Sequence, residues 1–154
     1  MPVAGGVVLI AAIFGLLWGV AAWISSGGAE STERLAPSTV DVGNVESISD
    51  EIHEDGPLLF ADLNTTVGER TLVLDHDGTD VTEGWRVYWA FPADRDSSCL
   101  VEQVQGTDRF TDCDGRELSV TDLEVPTTAC PIVESRETIS IGLRLEVCQQ
   151  YTAG

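Results

Sequence analysis

The chain has 154 residues and a formal net charge of −18, from 26 acidic residues against eight arginines, with no lysine. Such a surface repels phosphate backbones and anionic headgroups, which excludes nucleic-acid binding. It makes a solvated, self-repelling surface whose functional use would be docking onto a basic partner.

In chain order, residues 1–25 read as a membrane anchor. Residues 3–24 (VAGGVVLIAAIFGLLWGVAAWI) carry no charge. As a helix they would extend about 33 Å, enough for a hydrocarbon core of about 30 Å. Trp18 and Trp23 lie toward the end where indoles favour the interface. No basic n-region precedes the stretch, and it is longer than a signal-peptide core, so it is expected to be an uncleaved transmembrane α-helix in contact with the lipid bilayer. The Gly-Gly-Ala at 27–29 keeps cleavage open. Gly15 and Gly19 form a GxxxG step, a close-packing motif that is also ordinary membrane-helix composition. Residues 26–39 are small, polar and charged and read as a flexible linker.

Residues 40–150 are expected to form one β-domain. Isolated Val and Ile among acids at 40–56 suggest an entry strand and loop. Short β-type runs follow at 57–61, 70–75 and 85–91, each bounded by turn residues. Further strands are expected at 99–104, 109–112, 130–134 and 138–147, with a glycine-containing turn at 105–108. With no convincing helix among them, the spacing predicts an all-β antiparallel sandwich or barrel.

Four cysteines, Cys99, Cys113, Cys130 and Cys148, form no CxxC pair. An even count behind an anchor reads as two disulfides, which persist on the oxidising side. With acidic flanks unable to hold the domain inside, the expected orientation is N-terminus cytoplasmic and C-terminal domain extracytoplasmic, at the cell membrane. The chemistry-bearing motifs are sparse. Asp75-His76-Asp77-Gly78-Thr79-Asp80 departs from an EF-hand loop, since Gly comes two positions early and Arg86 stands where Glu is needed. It reads as a polar turn. His53 and His76 fall in two separate loops, and no hydrolase, metalloprotease or phosphate-loop spacing is present. Asn64-Thr65-Thr66 matches a glycosylation sequon, which means little in a bacterial source, and arginine without lysine suggests a GC-rich bacterial genome.

Residues 85–145 carry a further pattern. Asp94-Arg95-Asp96-Ser97-Ser98-Cys99 follows the apolar run VYWAF, and Thr111-Asp112-Cys113-Asp114-Gly115-Arg116 follows Phe110. Downstream come Leu123 and Pro126, then Pro131-Ile132-Val133 and TISIGL; upstream come DVGNV, PLLF and TLVLDHDG. This arrangement, over roughly 40–146, resembles the Rieske iron–sulfur family, in particular the membrane-anchored, extracytoplasmic members of quinol-oxidising cytochrome complexes. Those proteins carry two loops, C-x-H-x-G-C and C-x-C-H-G-S. The first Cys and the His of each bind iron, and the remaining cysteines join the loops as a disulfide.

Laid on that pattern, Cys99 and Cys113 match the disulfide cysteines and Gly115 the loop glycine. The four ligand positions fall on Asp94, Asp96, Thr111 and Asp114. A Rieske [2Fe–2S] centre needs two thiolates and two imidazoles, and none stands at these positions. The resemblance therefore implies a cluster-less domain with no cofactor: a non-catalytic accessory or interaction subunit tethered to the membrane, beside a respiratory or quinol-handling complex. With 99 and 113 paired, Cys130 and Cys148 are left to each other. Two other readings stand beside it. One is an electron-transfer Rieske-type protein whose [2Fe–2S] cluster is bound in another way. The other is an extracytoplasmic domain binding a partner or a hard cation, in which Asp94, Asp96 and Asp114 could converge on Ca²⁺ or remain polar solvated loops. Acids flank Cys99 and Cys113, which opposes thiolate formation and favours a staple over a redox switch.

Overall fold

The computed structural model describes residues 37–152 and, ahead of them, residues 15, 16 and 18. Most of the expected anchor at 3–24 and most of the expected linker lie outside the described residues. The chain divides into two compact units, Met1–Ala36 and Pro37–Gly154.

The second unit is not all-β. Among its described residues, nine strands are joined by two α-helices, in the order β1 (Thr39–Asn44), α1 (Val45–Asp55), β2 (Leu58–Thr65), β3 (Gly68–His76), β4 (Trp85–Trp89), β5 (Glu102–Gln103), β6 (Arg109–Thr111), β7 (Glu117–Ser119), β8 (Cys130–Glu134), β9 (Thr138–Gly142) and α2 (Leu145–Thr152). A 3₁₀ turn, Val120–Asp122, follows β7. The expectation of an all-β domain is corrected. Among the described residues no helix is long and apolar enough to cross a membrane, and two short helices stand where strand or loop was expected.

α1 replaces the loop expected at 45–56. Its start is set by Asn44, whose Oδ1 accepts the backbone N–H of Glu46 at 3.0 Å and of Ser47 at 3.3 Å. Val45, Ile48, Ser49 and Ile52 then recur at helical spacing along one face, while Glu46, Asp50, Glu51, Glu54 and Asp55 face water. Gly56 ends it in a left-handed conformation, φ 86°, with its N–H on the Ile52 carbonyl. α2 replaces the second half of the strand expected at 138–147, and Cys148 on it is buried against β8 and β9.

The strands form three antiparallel sheets of three, ordered β1-β9-β8, β2-β3-β4 and β5-β6-β7. The second lies between the other two. One of its faces presents Leu72, Leu74, Val87 and Trp89 to Ile139 and Ile141 of β9 and to Val45 and Ile52 of α1. Its other face presents Val73, Tyr88 and Ala90 to Phe110 of β6, Val120 and Leu123. Alternate residues of β3 and β4 thus enter different cores. This explains why TLVL and VYWA read as unbroken apolar runs: a strand covered on both sides has no solvent face to mark with polar residues. Leu72, Val73, Leu74 and Phe110 are fully buried, each worth roughly 1.5–3 kcal/mol relative to exposure. A two-layer sandwich is therefore also corrected; the domain has three layers and two cores. Pro131 sits in β8, an edge strand, where its missing N–H leaves no ladder bond unmade.

Candidate functional site

The two loops singled out in the sequence do meet. Residues 92–101 leave the end of β4, and residues 112–116 connect β6 to β7. Cys99 is bonded to Cys113 with the Cα atoms 5.1 Å apart, and Cys130 to Cys148 with 5.7 Å. The segment after β7 closes the loop pair from the other side. The Trp89 N–H donates to the Glu124 carbonyl at 2.7 Å, the Glu124 N–H to Phe91 at 3.0 Å, and the Ala93 N–H to Asp122 at 3.0 Å.

Asp112 organises the second loop. Its carboxylate, in a residue only 6% exposed, accepts the backbone N–H groups of Asp114 and Arg116, both at 2.9 Å, on Oδ1. On Oδ2 it accepts Nε of Arg116 at 2.6 Å. Burial works against its charge, but these donors, the Arg116 N–H first, overcome that and hold its carboxyl below the ordinary range. The two terminal nitrogens of Arg116 reach across to Asp94, Nη1 on Oδ2 at 3.1 Å and Nη2 on Oδ1 at 3.0 Å. This planar fork lowers the Asp94 pKa, and Asp94 and Asp112 in turn hold the guanidinium more firmly charged. A second cross-loop pair joins Arg95 to Asp114 at 2.7 Å.

Each residue at a family ligand position thus has its own local role. Asp94 is held by Arg116 and Asp114 by Arg95. Asp96 accepts the side-chain hydroxyl and backbone N–H of Ser98, which lower its pKa. Thr111 belongs to strand β6, paired with Glu102 and Glu117, rather than to a loop. These residues do not fit an iron–sulfur cluster: they offer no thiolate and no imidazole, and both cysteines of the loops are joined to each other. Nor do Asp94, Asp96 and Asp114 converge on a cation, since two of the three face arginines. Among the described residues no group of three His, Cys, Asp or Glu side chains is placed to share a metal.

A second site brings together residues that the sequence separates. α1 carries Ser49 and His53 back over the end of β3. There the Ser49 hydroxyl lies 3.0 Å from Nδ1 of His76. Nε2 of His76 lies 3.1 Å from the Asp80 carbonyl and 2.9 Å from that of Glu83. Two acceptors at Nε2 put the proton on that nitrogen, so Nδ1 accepts from Ser49. Nδ1 of His53 donates to the Ser49 carbonyl at 2.7 Å. The His53 ring stands edge-on to His76 at 5.5 Å, and the Trp85 ring packs tilted against His76 at 4.5 Å. His76 is therefore not a surface loop histidine. It is 5% exposed and ends β3.

This cluster forms one wall of a polar cleft of about 500 Å³. α1 contributes His53 and Glu54, β3 and the turn after it Asp75 and Asp77, β4 Arg86, and the β5–β6 turn Thr107 and Asp108. The floor closes where Gly56 packs on the Thr107 carbonyl, a contact that leaves no room for a Cβ. Arg86 bridges to Asp77 at 3.2 Å. Burial pushes the Asp75 carboxyl above its ordinary value, against the opposing pull of a backbone hydrogen bond at His76 and of Arg86.

Ser49 and His76 satisfy the distance test for a nucleophile and its base, but not the access test. Ser49 is 3% exposed and does not line the cleft. The far imidazole nitrogen is held by two carbonyls, so no proton can be relayed through it without breaking that turn. The pair instead fastens α1 to the β3–β4 connection. The sequence signal for it was the position of Ser49 on the apolar stripe of α1, where a polar residue needs a buried partner.

No protein-family model matches the chain, and no curated protein and no solved structure is significantly similar to it, so the likeness to the Rieske family rests on the residues quoted above alone.

Proposed function

We propose that this domain is a non-catalytic interaction module of an oxidising, extracytoplasmic compartment, a cluster-less counterpart of a Rieske domain acting as an accessory subunit of a membrane oxidoreductase complex. The observation that carries the reading is the loop pair. The two loops whose sequences align with the family's ligand loops lie side by side, stapled by Cys99–Cys113 and joined by ion pairs through Arg95 and Arg116. Two disulfides support the compartment, because such bonds persist where thiols are not kept reduced. The surface supports an interaction role. Arg86, Arg95, Arg109 and Arg116 are each engaged by a carboxylate of the same chain, leaving a large acidic excess for a basic partner.

The test has two parts. Protein purified from its native source is expected to be colourless, with neither iron nor acid-labile sulfide in stoichiometric amount, and to elute with a haem-containing complex. One iron–sulfur centre per chain, with a rhombic EPR signal on reduction, overturns the cluster-less reading. Elution without any haem protein, under detergents that keep such complexes intact, overturns the accessory role.

A further inference from the structure

The exposed tip of the β2–β3 hairpin carries Asn64-Thr65-Thr66, a motif that nothing in the loop pair or the cleft uses. We infer that Asn64 is an N-glycan acceptor. The chain has two asparagines. Asn44 caps α1 through its Oδ1 and is followed by Val45-Glu46, so it offers no sequon. Asn64 is followed by the required hydroxyl two residues on, and its side chain is exposed on an outward position of β2.

The turn divides the two threonines by role. Thr65, the middle residue, whose identity the motif leaves open, is bound into the turn: its hydroxyl donates to the Gly68 carbonyl at 2.7 Å and accepts the Val67 N–H at 3.3 Å. Thr66, whose hydroxyl the motif requires, is exposed in the turn itself. The pairs Asn64–Glu69 and Thr65–Gly68 close the hairpin, and the left-handed backbone falls on Gly68, φ 97°, where even an added Cβ would meet nothing within 4 Å. A transferase can therefore reach the amide without opening the sheet. Beside it Val67 is 50% exposed, an apolar residue that a sugar would cover.

The donor this chemistry needs is an oligosaccharide linked through diphosphate to a polyprenyl carrier. The Asn64 amide nitrogen bonds to the anomeric carbon and loses one proton. The bond from that carbon to the diphosphate oxygen breaks, and the carrier diphosphate leaves with the electron pair.

The inference rests on the proposed oxidising compartment, and one measurement separates the two. Intact and peptide mass spectra of the non-reduced full chain, purified from its native source, are expected to show an oligosaccharide mass increment on the peptide bearing Asn64, together with both disulfides. In cells expressing variants, Asn64→Gln and Thr66→Ala are expected to abolish the increment and Thr66→Ser to retain it, with Tm unchanged because both side chains are exposed. An unmodified Asn64 in a chain with both disulfides intact overturns the glycan and leaves the compartment standing. Free thiols at all four cysteines overturn the compartment as well. Retention of the increment in Thr66→Ala overturns the assignment to this sequon.

Discussion

Replacing Ser49 by alanine tests whether the His76 cluster is a structural fastening. The change removes the Oγ that lies 3.0 Å from Nδ1 of His76 and leaves that nitrogen buried without a partner. An orphaned buried polar group costs about 1–3 kcal/mol, and the midpoint of about 2 kcal/mol shifts the folding equilibrium roughly 30-fold. For a unit of about 115 residues, with an unfolding entropy near 2.1 cal/mol/K per residue, that corresponds to a fall in Tm of about 8 °C. The same change at Ser47, on the exposed face of α1, is the control, because it carries the same gain in helix propensity without a buried partner. Calorimetry and urea titration of both variants give the comparison. A Ser49→Ala variant no less stable than Ser47→Ala would refute the claim that this hydroxyl holds the helix to the β3–β4 turn.

Removing Cys99 and Cys113 together should cost about 3 kcal/mol, the chain-entropy value for a loop of this length, and removing Cys130 and Cys148 about the same. The two differ in where they loosen the fold: amide exchange should accelerate through α2 only in the second case, since ion pairs still join the loops in the first. Asp94, Asp96 and Asp112 have folded pKa values below their unfolded ones. Their contribution is therefore complete above the unfolded value, near pH 4, and is lost as pH falls through the folded values. Arg116→Gln should flatten that acid limb in stability measured against pH. With a net charge of −18, Tm should rise as sodium chloride goes from about 0.1 to 1 M, where the screening length shortens from about 10 to 3 Å; a flat response would show that the acidic surface does not strain the fold.

Much of the strand order was legible, because β3, β4, β8 and β9 are short apolar runs between turn residues. The number of layers was not, although the unbroken TLVL and VYWA runs carried the information that both faces are covered. α1 escaped because its apolar stripe is only Val45, Ile48 and Ile52, diluted by Ser49 and five acids; Asn44 and Gly56 were nevertheless its proper boundaries. α2 escaped because the alternation of TISIG continues through LRLEV, so nothing in the pattern marks the change after Gly142. The loop pair was visible only through its cysteines. The partners of Asp94 and Asp114 were not, since a loop carboxylate reads the same whether it faces a cation, water or an arginine. The histidines looked unrelated because 22 residues separate them, and only the reversal of α1 over β3 brings them together.

Gly56 ends the helix that follows β1, and Thr107 belongs to the turn between β5 and β6. Their contact therefore ties the junction of α1 and β2, an edge strand of the second sheet, to the β5–β6 turn of the third. A push on the β5–β6 hairpin, by a protein seated there or by one added methyl group at residue 56, would be felt at the end of α1 before it had to cross either core. Gly56 and Thr107 both line the cleft beside His53, so a displacement of the β5–β6 turn reaches that pocket through a contact that has no side chain to give way.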